Sequence, residues 1–368
     1  MPYSFRPAPR RLRFLFLATL FLMMKHSVSR RDALRATALL GATSLLQPTD
    51  TLAATAPPAK GKTPALTAAE IAAIDAALGK KGAYNEAQAT HVVSLPRNDL
   101  TIKIKGEPVP ISFGFGGWMA IKHTLDGKSA MLMSDTVLLQ EEVAPLMSAA
   151  LANGLEIGAV HNHFFYEEPR IFYMHVHGMG SPAELARQFA ATLKDSKLLP
   201  ANQPGSAAAP SAPTGNTGTP AAGAAPTGKE LFDVPALDKI IRYQGTVNGP
   251  TYKYTVGRDD LQVVMMNTEM TAAIGLNSWA AFAGQQADAH IAGDVAMLEH
   301  EVNPVIKALR AHNLEVVAVH NHMLFDQPRM VFLHYYGRGP APQLAAGFRA
   351  ALDQLGKGKA PAMPGMKH

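Results

Sequence analysis

Apolar residues fall at helical spacing in two places that mirror one another. Val143, Leu146, Met147 and Ala150 sit at i, i+3, i+4 and i+7, and so do Val302, Val305, Ile306 and Leu309. Both runs predict one-sided helices, with Pro145 and Pro304 in the first turn, where a missing N–H costs little. Thr67 followed by Glu70 predicts a capping box ahead of the helical run "IAAIDAAL". "PAELARQFAATL" predicts a further helix. "LEIGAVHNHFF" and "RIFYMHVHG" are rich in β-branched and aromatic residues and predict two strands separated by the turn-like "YEEP". The order is helix, several strands, helix, two strands, helix, which is an α+β pattern.

That order occurs twice. With Arg97 set on Arg258, Asp99 falls on Asp260, Leu100 on Leu261, Gly114 on Gly275 and Trp118 on Trp279, the only two tryptophans. After a two-residue length change, Asp135 falls on Asp294, Glu142 on Glu301, Pro169 on Pro328, Arg170 on Arg329 and Phe189 on Phe348. Each copy is about 120 residues, a domain-sized unit and far longer than a solenoid repeat. The expected organisation is two tandem homologous α+β repeats, residues 66–195 and 231–356, each with an antiparallel sheet and a histidine-bearing β-hairpin. Residues 196–230 are dominated by Pro, Ala, Gly, Ser and Thr and read as a flexible linker, and residues 357–368 as a loose tail. Proteolysis within residues 197–229 is therefore expected to leave two resistant fragments.

Composition adds an address. The chain of 368 residues is 47% hydrophobic and 17% charged, the balance of a globular protein. Its formal charge of +5 would suggest an anionic polymer as partner, but residues 1–56 hold eight Lys/Arg against two acids. The remainder is close to neutral and has no basic stripe, so no nucleic-acid partner is expected. "SRRDALRATALLGATSLL" followed by "TLAATA" reads as an export signal of twin-arginine type over residues 1–56, with ordinary secretion as the alternative and Met24 as an alternative start. The run Phe14 to Met24 is too short for a membrane span, so no transmembrane domain is expected in the mature chain. The expected location is periplasmic or extracellular. Cysteine is absent, which removes disulfides and thiolate ligands.

The chemistry concentrates in "AVHNHFFYEEPRIFYMHVHG" and "AVHNHMLFDQPRMVFLHYYG", which hold seven of the fourteen histidines. Residues two apart in a strand share a face, so His161 and His163 point together. A hairpin folded about Pro169 would set His163 opposite His175 and His161 opposite His177; the second copy would set His322 opposite His334 and His320 opposite Tyr336. Three or four converging imidazoles match a divalent metal site, with zinc the first expectation, one site in each repeat. The alternative is a polar, solvent-facing sheet surface.

Other repeated polar residues carry two readings each. Arg170 and Arg329, with Tyr336, could hold a small polar or anionic ligand, or the arginines could tie down their turns against Glu167 and Asp326. Glu142, Glu301, Asp135 and Asp294 are acid/base candidates, though the two glutamates also suit helix starts. Trp118 and Trp279 read as core, with a pocket wall as the alternative. "FGFGGW" lacks the phosphate-loop pattern and reads as a bulged strand.

On the string HNH…PR…H together with "EVNPVIKALRAHNLEVVAVHNHML", the chain resembles the LppY/LpqO family of exported bacterial proteins, over both repeats. The resemblance implies an envelope location and a tandem architecture, without a chemistry. The departure at "TEMTAAIGLNSW" puts the role of that loop in doubt. An H-x-H strand with a third histidine on its neighbour is also similar in geometry to the zinc site of acetolactate decarboxylases, an analogy without supporting motifs. Three functions stay open: a metal-dependent enzyme on a small polar substrate, a non-catalytic binder of metal or anion, and a structural envelope module.

Overall fold

Thr67 opens the first helix as its spacing predicts. Its Oγ1 accepts from the Glu70 amide at 3.2 Å and Glu70 Oε2 accepts from the Thr67 amide at 2.7 Å, which closes the capping box of α1 (Ala68–Leu78). This computed structural model describes residues 63–194, 196–198 and 226–357. The export segment, residues 199–225 of the linker and the tail beyond residue 357 lie outside the described residues.

The first copy continues through β1 (Ala83–Asn85), β2 (Thr90–Pro96), β3 (Ile102–Ile104), β4 (Glu107–Val109), β5 (Gly116–His123) and β6 (Ala130–Leu139). Next come α2 (Gln140–Ala152), β7 (Glu156–His161), β8 (Glu167–Glu168), β9 (Ile171–Gly180) and α3 (Pro182–Leu193). The second copy runs α4 (Gly228–Leu231), α5 (Val234–Ile241), β10 (Thr246–Asn248), β11 (Thr251–Gly257), β12 (Val263–Met265) and β13 (Thr268–Met270). It ends with β14 (Asn277–Gln285), β15 (Asp288–Leu298), α6 (Val302–Ala311), β16 (Glu315–His320), β17 (Met330–Gly339) and α7 (Ala341–Leu352). Each copy builds a six-stranded antiparallel sheet, β1-β2-β5-β6-β9-β7 and β10-β11-β14-β15-β17-β16. The α+β class and the tandem architecture are as the sequence predicts.

Strand alternation divides each sheet into two faces. Met174 and Val176 of β9 turn toward Leu146, Ala150, Leu185 and Phe189 of the helices, and Leu333 and Tyr335 of β17 do the same against Leu309, Leu344 and Phe348. The residues between them in sequence face the other copy. Val137, Phe164 and Tyr173 pack in one cluster with Ala281, Ala292 and Tyr336; Ala120, Met131 and Met133 pack in another with Met265, Ile274, Met323 and Phe332. The two sheets are therefore back to back with helices outside, and the described parts of both copies belong to one compact unit. Each copy keeps a core of its own between sheet and helices, and two further clusters join the copies at the sheet-to-sheet interface.

Close approach needs glycine at two points of that interface. A Cβ on Gly158 would lie 2.5 Å from the carbonyl oxygen of His322, and Asn321 Nδ2 donates to the Gly158 carbonyl at 2.9 Å. Gly275 has φ of 100°, and a Cβ there would meet Trp118 Cη2 at 3.1 Å.

Two local expectations are corrected. Pro145 lies inside α2, because the helix begins five residues earlier, where Glu142 Oε2 accepts from the Leu139 amide at 2.8 Å. The hairpin is not folded symmetrically about Pro169. Ala159 pairs with His175, His161 with Tyr173, and Glu156 with His177. The connecting chain leaves the hairpin to pair Glu167 and Glu168 with Ile104 and Lys103, and Asn162 Nδ2 donates to the Ile171 carbonyl at 2.7 Å. The second copy repeats this register, with Ala318 on His334 and His320 on Phe332. Among the described residues no helix is long and apolar enough to cross a membrane.

Candidate metal centre

The inward faces of β7 and β9 carry His161 and His175, and those of β16 and β17 carry His320 and His334. His163 and His322 follow the ends of β7 and β16. Because the sheets are back to back, these six rings meet in the shared core; His320, His322 and His334 converge within the second copy as expected, whereas His161 and His163 converge with His334 of the other copy. Rings pair across the interface, His161 with its equivalent His320 and the other four in two symmetry-related crossed pairs. The ring centres of His161 and His320 are 3.7 Å apart, those of His163 and His334 3.6 Å, and those of His175 and His322 4.1 Å. The second histidine of each HNH thus reaches the β9 or β17 histidine of the other copy. It is held there by an aromatic ring of its own copy, His163 against Tyr173 at 3.2 Å and His322 against Phe332 at 3.5 Å.

Three groups could hold a metal ion, with all ligand atoms of a group within 4.8 Å of one another: His161, His175, His320 and His322; Asp294, His320, His322 and His334; and His161, His163 and His334. The first and third groups draw on both copies, and the second belongs to the second copy alone. His161 Nε2 and His175 Nε2 are 3.0 Å apart. Tetrahedral ligands at a zinc–nitrogen distance of about 2.0–2.1 Å would stand about 3.3 Å from each other, so the spacing suits rings that converge on one ion. Asp294 accepts from the Leu333 amide at 3.0 Å through Oδ1 and brings Oδ2 to 3.1 Å from His322 Nε2.

The rings are buried and short of partners. Both nitrogens of His163 and of His322, together with His161 Nδ1, His320 Nε2 and His334 Nε2, have no hydrogen-bond partner. Each such atom ordinarily costs about 1–3 kcal/mol, and native cores hold few of them. Burial, followed by the neighbouring histidines, holds the imidazoles of His161, His163 and His175 well below their ordinary pKa, and burial with His320 does so for His322. Burial lowers His320 as well, and pushes His334 down to about 3 against the attraction of Asp294. These rings are neutral, which is the ligating form. The chemistry of the donor set, imidazole with a carboxylate and no thiolate, fits zinc and other divalent transition ions.

The remaining candidates stand elsewhere. His177 shares the inward face but sits 3.2 Å from Glu156 and joins none of the three groups; the pairing of His161 with His177 fails because the register is Glu156 on His177. Its counterpart Tyr336 bonds through its hydroxyl to His290 Nδ1 at 2.8 Å. Arg170 is half exposed and reaches the Phe165 carbonyl at 3.3 Å and Glu167 at 3.4 Å, which is the turn-tying geometry; Arg329 is exposed on the equivalent turn. Glu142 and Glu301 face buried guanidinium groups. Arg97 donates to Glu142 at 2.7 Å and to Asp99 at 2.9 Å, and Arg258 repeats both bonds with Glu301 and Asp260. Removing one partner of such a buried pair costs about 3–5 kcal/mol, so these glutamates serve the fold. The repeated Arg-x-Asp is the sequence signal for this role.

Asp135, equivalent to Asp294, has a different environment. One of its oxygens, Oδ1, is buried without a partner, and burial beside Asp294 pushes its carboxyl well above the usual carboxylate range. It lines a cleft of about 1170 Å³ between the copies, together with His163, Trp118, Trp279 and Lys253. Both tryptophans thus form a pocket wall, and Lys253 is a site residue the sequence did not single out.

No curated protein matches the chain. Among solved structures, the crystal structure of EtuB from Clostridium kluyveri is similar at 9% sequence identity, covering 65% of this chain and 88% of that one, with a TM-score of 0.16, too low to carry any argument. One family profile matches twice, over residues 72–195 and 235–354, each stretch holding a complete HNH segment with its paired strand. The chain belongs to the family described as Domain of Unknown Function (DUF1259), and carries that domain in tandem.

Proposed function

We propose that the six histidines and Asp294 hold a divalent transition metal, zinc before others, in one buried centre to which both repeats contribute. The observation that carries this reading is the convergence of buried, neutral ring nitrogens without partners. A bound ion would satisfy one nitrogen of each ring that ligates it.

The cleft favours catalysis over storage. His163 lines it and also belongs to the three-histidine group, the one of the three groups with a ligand position left for a small molecule. A metal there supplies a Lewis acid for a polar substrate. The chain's own residues place that substrate between two indole walls, exclude water around the imidazoles and set Asp135 beside the reaction space. Metal analysis of the purified protein should find about one or more divalent ions per chain, removed by chelator and restored by Zn²⁺. Background levels, before and after reloading, would end the metal reading.

Export to the envelope belongs to the same proposal, supported by the paired arginines and by the resemblance to the LppY/LpqO family. Replacing Arg30 and Arg31 by lysine should retain precursor in the cytoplasm on fractionation; unchanged export would remove this element and leave the metal centre standing.

A further inference from the structure

Lys253 breaks the symmetry of the cleft. It lies on β11 opposite Ala281, at the position that Val92 occupies on β2 opposite Ala120. Its ammonium sits over the Trp279 ring at 4.6 Å from the centre. It is half-buried, and it is the one Lys or Arg among the residues that line the cleft. Lys122, buried on the neighbouring sheet, has a carboxylate partner and donates to Glu269 at 3.0 Å. Lys253 makes no such bond. Asp135, on the same cleft, interacts with it electrostatically without a hydrogen bond between them.

A desolvated ammonium without a hydrogen-bonded carboxylate is unfavourable unless an anion reaches it, and Asp135, the one carboxylate among the lining residues, does not bond to it. Beside the unbonded carboxyl of Asp135, its fixed attraction is the indole face, which contributes only about 0.5–2 kcal/mol. The cleft volume slightly exceeds the roughly 300–1,000 Å³ usual for small-molecule sites. A polyphosphate calls for several donors or a planar guanidinium fork, and a lone ammonium is a single point charge. Two tryptophans bound the rest of the space, where an apolar or unsaturated body can lie flat.

We propose that the cleft binds a small organic carboxylate, with its anionic end on Lys253 and its body between Trp118 and Trp279, directed toward His163. This names the substrate class of the centre proposed above and rests on that reading only for what happens after binding. The site belongs to the second copy's strand alone, since Val92 offers no charge in the equivalent place.

The protein reports on this site by itself, because its two tryptophans both line the cleft. Intrinsic fluorescence of the intact, metal-loaded chain should change saturably with benzoate or succinate at constant ionic strength, and about tenfold more weakly or not at all with benzamide or succinamide. Lys253→Gln should weaken the acid by about tenfold or more while metal content and melting temperature stay at wild-type values, and Lys253→Arg should restore most of the binding. Equal responses to acid and amide, no response to either acid, or wild-type affinity in Lys253→Gln would overturn the proposal. Saturable, Lys253-dependent binding in protein that holds no metal would uphold the carboxylate site and sink the metal reading alone.

Discussion

Leucine in place of His163 should strip metal from the centre and yet stabilise the metal-free protein. Both nitrogens of this ring are buried without partners, a cost of about 1–3 kcal/mol for each unsatisfied group, and leucine carries no such group. Some of that gain is offset by losing the stack between Tyr173 and His334. The net effect in chelator is a rise of a few degrees in melting temperature, at about 2–4 °C per kcal/mol for chains of this order of size. With saturating Zn²⁺ the order reverses, because wild type gains the linkage energy of a bound ion and the variant does not. The fall in metal affinity should exceed the roughly 10–100-fold typical of losing a residue that only orients a ligand. Calorimetry with and without metal checks both signs. A variant that melts lower under both conditions by the same amount would show that the ring is there for packing.

Neither half should fold when expressed by itself. The inward face of each sheet would present residues such as Met131, Met133 and Tyr173, or Met265, Phe332 and Tyr336, to water. Each fully buried large apolar side chain contributes about 1.5–3 kcal/mol, so exposing six or seven removes as much as a domain's whole stability of about 5–15 kcal/mol. Isolated residues 63–198 and 226–357 should therefore be aggregated or unfolded by circular dichroism and should hold no metal. The intact protein cut between residues 199 and 225 should elute as one species with its metal in place. Two soluble, cooperatively melting halves would refute the shared core.

What the sequence disclosed follows from what periodicity measures. Helical spacing at Val302 and Leu309, the capping box at Thr67 and the alternation of His161, His163 and His175 all report a face, and each face is where the pattern puts it. Register is a different quantity. It was set by Glu167 and Glu168, whose partners lie outside the hairpin, and by the bond of Asn162 to Ile171, so folding the sequence about its proline misplaced His177. The crossing of histidines between copies was equally out of reach, because parity says which side a ring points to and not what waits there. Lys253 escaped for the opposite reason. Aligning the copies highlights what they share, and this residue matters where they differ.

The exchange of His163 onto His334, and of His322 onto His175, has an evolutionary reading. A protein with a single copy of this domain would have to form a homodimer to assemble the same centre, and its two-fold axis would pass between the two rings now numbered 161 and 320. In such a homodimer every mutation is written into both halves at once, so neither side of the axis can specialise. Joining the subunits into one chain lifts that restriction. Asp294 can stay among the imidazoles while Asp135 turns to the cleft, tyrosine can replace His177 on one side only, and a lysine can face a valine across the former axis. Fusion also fixes the halves at an effective concentration set by the linker rather than by expression. A dilute protein with a subunit-spanning metal centre would benefit from that directly, since dissociation would otherwise release the ion.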